Sequence, residues 1–185
     1  MAERADPYMG VGLYYPDPLP VAVLVRRERE GRTLCATTDS LRAFSREQGL
    51  MIPIPRGYVT DWASVPSLAQ LHIQPFGRHA WAALAHDWLY SVGEPDGRGL
   101  ADRIFREKLR EAGVSAFRRG VMDRAVVWFG AGGYADAERN WRDSFRDPPT
   151  GNRTDPPFAR ESAFRGGENG PRPWSPEEAG RVATT

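Results

Sequence analysis

His86 and Asp87 stand side by side in A-W-A-A-L-A-H-D-W-L-Y (residues 80–90), and Asp102 follows in G-L-A-D-R-I-F (residues 99–105). Both stretches read as helix. Polar side chains in such apolar surroundings need partners, because an unpaired buried polar group costs roughly 2–7 kcal/mol. A carboxylate accepting from one imidazole nitrogen fixes the tautomer and leaves the other nitrogen to take a proton from water. That chemistry makes His86 a general base and Asp102 its orienting partner. Asp87 points about 100° away around the helix, so it serves something else: a hard cation such as calcium, or the amides of a neighbouring loop. Tyr90, four residues after His86, shares its face and adds a hydroxyl. The same residues equally describe a structural brace, in which Asp102 satisfies His86, Asp87 satisfies a loop and nothing reacts.

The elements that must position these groups are legible from periodicity. Trp81, Leu84, Trp88 with Ala82, Ala85, Leu89 follow a 3.6-residue repeat, which predicts a helix over 78–91. The turn cluster E-P-D-G-R-G (94–99) ends it, and a second helix is predicted over 100–112. A short connection makes the two antiparallel neighbours. At about 1.5 Å per residue, His86 and Asp102 then stand within about 3 Å of each other in height and face one another across the hairpin. A third helix is predicted over 115–129, with Phe117, Val121, Ala125, Trp128 and Phe129 as its buried stripe. Gly130-Ala131-Gly132-Gly133 is expected to interrupt it before a further turn or two over 134–141.

Upstream, 21–26 and 33–37 read as a hairpin, and 41–45 and 50–54 as two more strands around Gln48-Gly49. Pro53 and Pro55 place the last strand at a sheet edge or its end. The segment 52–66 begins strand-like and closes in a turn where Gly57 permits a positive φ and Thr60, Asp61 and Ser64 can bond their own backbone. This is the loop expected to face the site. The fold class is α+β: a small N-terminal antiparallel sheet of about four strands, a three-helix cluster, and a Pro/Gly-rich extended tail. Residues 1–19 are expected to form an irregular arm, 20–146 a single domain, and 147–185 an extended or disordered tail. That tail holds seven prolines and five glycines in 39 residues and no apolar period. Phe158, Phe164 and Trp174 are its anchors if it docks.

Composition narrows the function classes. The net charge is +1, which argues against a protein devoted to sequence-specific nucleic-acid binding. Of 25 basic residues, Lys108 is the single lysine. Cys35 is alone, so no intrachain disulfide forms. No apolar run reaches the length of a transmembrane helix, and no signal peptide opens the sequence. His72, His79 and His86 recur every seven residues, but about 10.5 Å along a helix is too far for His79 and His86 to share an ion. A phosphohydrolase-type metal site would need further ligands, and only Asp102 and Asp123 fall near His86 and Asp87.

P-R-G-Y-V-T-D-W-A-S-V-P (55–66), H-D-W-L-Y (86–90) and A-D-R-I-F (101–105) resemble, in this order, the motifs P-x-G-F-x-T-D-x-A-S-V-P, H-D-x-L-Y and A-D-x-x-F of an uncharacterised bacteriophage and prophage family, a domain of unknown function. The likeness covers roughly residues 20–135, with Tyr58 where phenylalanine is usual. It implies a phage setting and no activity. H-D-x-x-Y followed by A-D is also similar to secreted and viral phospholipases. That resemblance implies His86 as the water-activating base, Asp87 as a calcium ligand, Asp102 as the orienting carboxylate and Tyr90 in support. The glycine-rich calcium loop and the disulfides of the secreted enzymes are missing.

Two expectations follow. In the first, this is a virion or virion-associated assembly protein whose trio braces the loop holding Gly57, Thr60, Asp61 and Ser64. Other phage proteins would bind it through the N-terminal arm and C-terminal tail, and a homo-oligomer is compatible with this. Such a protein would reside in the host cytoplasm during assembly and then in the particle. In the second, it is a calcium-assisted hydrolase of ester bonds in lipid or cell envelope.

Overall fold

The computed structural model describes residues 19–29, 32–62 and 79–173. The strands are β1 (Val21–Arg29), β2 (Arg32–Thr37), β3 (Leu41–Ser45), β4 (Leu50–Ile54), β5 (Val59–Thr60) and β6 (Arg172–Pro173). The helices are α1 (Ala80–Val92), α2 (Arg98–Glu111), α3 (Ala116–Ala135) and α4 (Ala137–Asp143), with a 3₁₀ turn at Arg160–Ala163. The architecture is α+β, with antiparallel strands first and helices after.

The strands form two three-stranded sheets rather than one, in the orders β1-β2-β5 and β3-β4-β6. The hairpin β1/β2 pairs Val23 with Cys35, and β5 adds to it by setting Thr60 opposite Cys35. In the second sheet Ala43 opposes Ile52. Strand β4 is central only at its start, where Leu50 and Met51 meet Pro173 and Arg172. Beyond that point its outer side has no partner strand among the described residues, and there Pro53, which has no N–H to give, costs the ladder nothing.

Helix α1 is buried on nearly every side; only Ala80 and Asp87 are partly exposed. A helix apolar all round belongs in the middle of a core, and α1 occupies it. Trp88 stands edge-on to Tyr58 at 5.0 Å and lies 5.5 Å from Trp141, which in turn meets Phe145 at 5.3 Å. Leu84, Ile104, Phe105, Leu109 and Met122 complete the core from the helical side, and Leu41, Ile52 and Ile54 from the strands.

Helix α3 departs from its expected form in two ways. It does not break at Gly130–Gly133 but runs through to Ala135. Gly130 lies so close to α1 that a Cβ there would stand 2.6 Å from the Tyr90 hydroxyl. The glycine therefore marks a close approach, not a stop. The buried side is Met122, Ala125 and Val126, whereas Phe117 is 79% and Trp128 72% exposed. Apolar residues surround much of this helix, so periodicity alone does not choose which face packs.

Residues 147–173 carry little regular structure, as their composition suggests, yet they lie on the domain. Phe158 packs 5.7 Å from Trp141, and Ala163 is fully buried. Phe164 rests against the same core, Arg160 donates to the Val92 carbonyl at 3.3 Å, and β6 joins the sheet. A few aromatic anchors and sheet pairing fix a segment that has no core of its own. The N-terminal arm up to residue 18 and Trp174 lie outside the described residues.

Candidate functional site

The site sits where the α1–α2 hairpin meets the loop entering β5 and the middle of α3. The hairpin is antiparallel because Gly93 closes α1 in the left-handed conformation, donating to Leu89 O at 3.0 Å, and α2 begins only five residues later. This brings His86 and Asp102 together. Nε2 of His86 is 3.2 Å from Oδ1 of Asp102, and the same oxygen accepts from the Tyr90 hydroxyl at 2.8 Å. The three side chains are buried, and the His86 ring lies between Tyr90 at 4.0 Å and Phe105 at 4.8 Å.

Arg98 extends the network. Its Nε lies 3.3 Å from the Tyr90 hydroxyl, and its Nη2 donates to the carbonyls of Val126 and Val127 at 3.3 and 3.1 Å. The spacing Arg98/Asp102 is i, i+4 on one helix face, a signal readable in the sequence outside the three motifs. Burial alone would raise the Asp102 carboxyl. Hydrogen bonds from His86 and Tyr90, with the charges of His86 and Arg98, outweigh it and hold the group below the usual carboxylate range. The Tyr90 phenol is pushed well above its usual value, by burial first, with Asp102 adding to it.

Asp87 turns away as the helical angle requires. Its Oδ2 accepts from Thr60 Oγ1 at 2.5 Å, and its Oδ1 lies 4.0 Å from His86 Nδ1. Thr60 Oγ1 also accepts from the Trp62 backbone N–H at 3.0 Å. Trp62 is held at a positive φ of 57° and is buried, and its indole N–H points at Cys35 Sγ at 3.4 Å. Burial raises that thiol above its usual value. A non-glycine residue in this conformation costs of order 1–3 kcal/mol and persists only where its surroundings fix it. Asp87, Thr60 and Cys35 are those surroundings. Neither Trp62 nor Cys35 stood out in the sequence, since a positive φ at a tryptophan has no composition signal.

Gly57 does adopt a positive φ, 83°, and its missing side chain is needed: a Cβ would lie 2.8 Å from the Arg146 carbonyl oxygen. Its carbonyl accepts from the Arg146 N–H at 2.9 Å, which clips the loop to the chain after α4. Thr37 secures the other side, donating its hydroxyl to Pro55 O and accepting from Tyr58 N. Asp61 follows Thr60 and is partly exposed. Ser64 and His72 lie outside the described residues. Asp123 is not brought to the trio; it pairs with Arg106 on the outer side of the α2–α3 contact. His79 is buried just before α1.

Calcium takes six to eight hard oxygen ligands; at Asp87 one carboxylate oxygen accepts from the Thr60 hydroxyl and the other lies 4.0 Å from an imidazole nitrogen. Among the described residues, no group of three or more His, Cys, Asp or Glu side chains could hold a metal ion.

A second buried polar group escaped the motif reading. Glu107 on α2 accepts from the Ser45 hydroxyl and from the backbone N–H groups of Arg46 at 2.6 Å and Glu47 at 3.2 Å, capping the β3–β4 turn. Lys108, fully buried, donates to Glu111 at 2.6 Å. Burial raises the Glu111 carboxyl despite this lysine.

These contacts define a small α+β protein whose helical hairpin is tied to a strand-entry loop by a buried His–Asp–Tyr–Arg network. Residues 38–126, just under half of the chain, match the model of a family described as protein of unknown function (DUF1353). The matched span contains Thr60, the His86-Asp87 pair, Tyr90 and Asp102, and it is narrower than the motif resemblance suggests. No curated protein and no solved structure matches the chain. Among the described residues, no helix is long and apolar enough to cross a membrane.

Proposed function

We propose that this chain is a phage-encoded virion or virion-associated assembly protein, in which the His86-Asp87…Asp102 trio braces the loop at Thr60–Trp62. The observation that carries the brace is where the carboxylates go. Asp87 accepts from Thr60, while Asp102 accepts from Tyr90 and pairs with His86. Arg98 then anchors Tyr90 to α3. Carboxylates committed in this way position backbone rather than substrate. The phage setting is supported by the three ordered motifs, and other phage proteins are its partners on this reading.

Two measurements test it. Proteomics of purified particles should find the chain at fixed copy number, and complete, infectious particles formed without it would refute the role. His86→Ala should lower the melting temperature, and calcium should leave the wild type unchanged.

One observation favours a second reading. Oδ1 of Asp102 lies 3.2 Å from Nε2 of His86, the carboxylate–imidazole pairing that orients a general base. On this reading the chain is a calcium-assisted hydrolase of ester bonds in lipid or cell envelope, with Asp87 toward the ion. Hydrolysis of phospholipid or short-chain esters that vanishes in a stably folded His86→Gln variant would move the assignment to an enzyme.

A further inference from the structure

The outward face of α3 carries a ridge that the site does not use. Phe117 and Trp128 project into solvent about three turns apart, close to 16 Å along the axis at about 1.5 Å per residue. They are 79% and 72% exposed, and Val127 beside them is 48% exposed. Isolated surface apolar residues need no explanation, but two large rings on one helical line, with an exposed valine about 100° round from the second, do. Arg124 lies on the same line between the rings, and Arg118 flanks Phe117. Both are exposed and make no ion pair among the described residues. The only acid on α3, Asp123, is taken up by Arg106. The ridge is therefore apolar and aromatic at its crest and unbalanced in positive charge.

We propose that this ridge docks on the surface of an anionic lipid bilayer. Charge complementarity selects the occupant. Free guanidinium groups attract phosphate headgroups, while their aliphatic stems and the two rings enter the boundary between headgroups and acyl chains. A second copy of this chain fits less well, because a two-fold pairing of α3 about its middle would set Arg124 against its own copy. Single-stranded nucleic acid would use the rings and arginines but not the exposed Val127 beside Trp128. The helix lies along the bilayer rather than through it, since its opposite face packs in the core through Met122 and Val126. This inference goes beyond the virion reading and does not depend on it.

The test is co-sedimentation of the full chain with vesicles of equal parts phosphatidylglycerol and phosphatidylcholine, against phosphatidylcholine alone. The chain should bind the anionic vesicles and not the neutral ones. Phe117→Ser with Trp128→Ser should weaken binding about tenfold or more, and Arg118→Gln or Arg124→Gln by about fivefold each. Both rings are exposed, so circular dichroism and melting should be unchanged in these variants. Absence of wild-type binding, or equal binding by the double variant, would overturn the proposal. So would finding that the double substitution instead abolishes a lipid-free dimer or binding to single-stranded DNA.

Discussion

Asp102→Ala is the sharpest probe of the network. The substitution removes the acceptor shared by Tyr90 Oη and His86 Nε2 and leaves both donors buried, while Arg98, partly exposed, keeps its bonds to the Val126 and Val127 carbonyls. Each stranded donor costs about 1–3 kcal/mol, so the two together cost about 2–6 kcal/mol. Asp102 is only 8% exposed, so water gives little relief. A loss of about 3–5 kcal/mol is expected, which for a chain of this size lowers Tm by roughly 10 °C, at about 2–4 °C per kcal/mol. The assay is urea and thermal unfolding across pH. The Asp102 carboxyl lies below its unfolded value. Its stabilisation is therefore fully present above about pH 4, the ordinary aspartate range, and fades as pH falls through the lower folded value. The gap between wild type and variant should be constant near neutrality and shrink below about pH 4. A gap under about 1 kcal/mol at pH 7, within the range of an ordinary exposed contact, would refute the brace.

Three further outcomes are expected. Thr60→Val, nearly isosteric, removes the hydroxyl that Asp87 accepts and Trp62 N–H needs; it should cost about 1.5–3 kcal/mol by chemical denaturation, with Thr60→Ser recovering most of it. Gly130→Ala should destabilise despite the better helix propensity, because its Cβ meets the Tyr90 hydroxyl at 2.6 Å, whereas Gly132→Ala, with open space around it, should gain up to about 1 kcal/mol. Tyr90→Phe should cost about 1–2 kcal/mol and remove one phenol from the most alkaline part of the ultraviolet titration, since burial keeps Tyr90 neutral well above the usual tyrosine range.

The helical hairpin was legible because two strong signals agreed: an apolar period in 80–90 and a Pro-Asp-Gly turn after it. That agreement also placed His86 opposite Asp102 and turned Asp87 aside. The failures share a physical cause, tertiary contact. Helix α3 reads as broken at its glycines, and only the Tyr90 hydroxyl pressing on Gly130 explains why small residues belong inside a helix. The exposed faces of Phe117 and Trp128 could not be told from buried ones by spacing. Arg98 differs: its i, i+4 spacing to Asp102 is readable, but its bonds to main-chain carbonyls of a helix far along the chain leave no residue pattern.

Strand β6 has a consequence for biosynthesis. It is two residues long, yet it pairs Leu50 with Pro173 and Met51 with Arg172. The first part of β4 therefore waits for residues about 120 positions later in the chain before its outer hydrogen-bonding groups are covered. Contacts between residues so distant in sequence form late, and an uncovered strand edge invites pairing with another chain. Nascent or prematurely terminated chains would expose that edge, so shortened products should self-associate. Arg172 and Pro173 act as a seal on that edge.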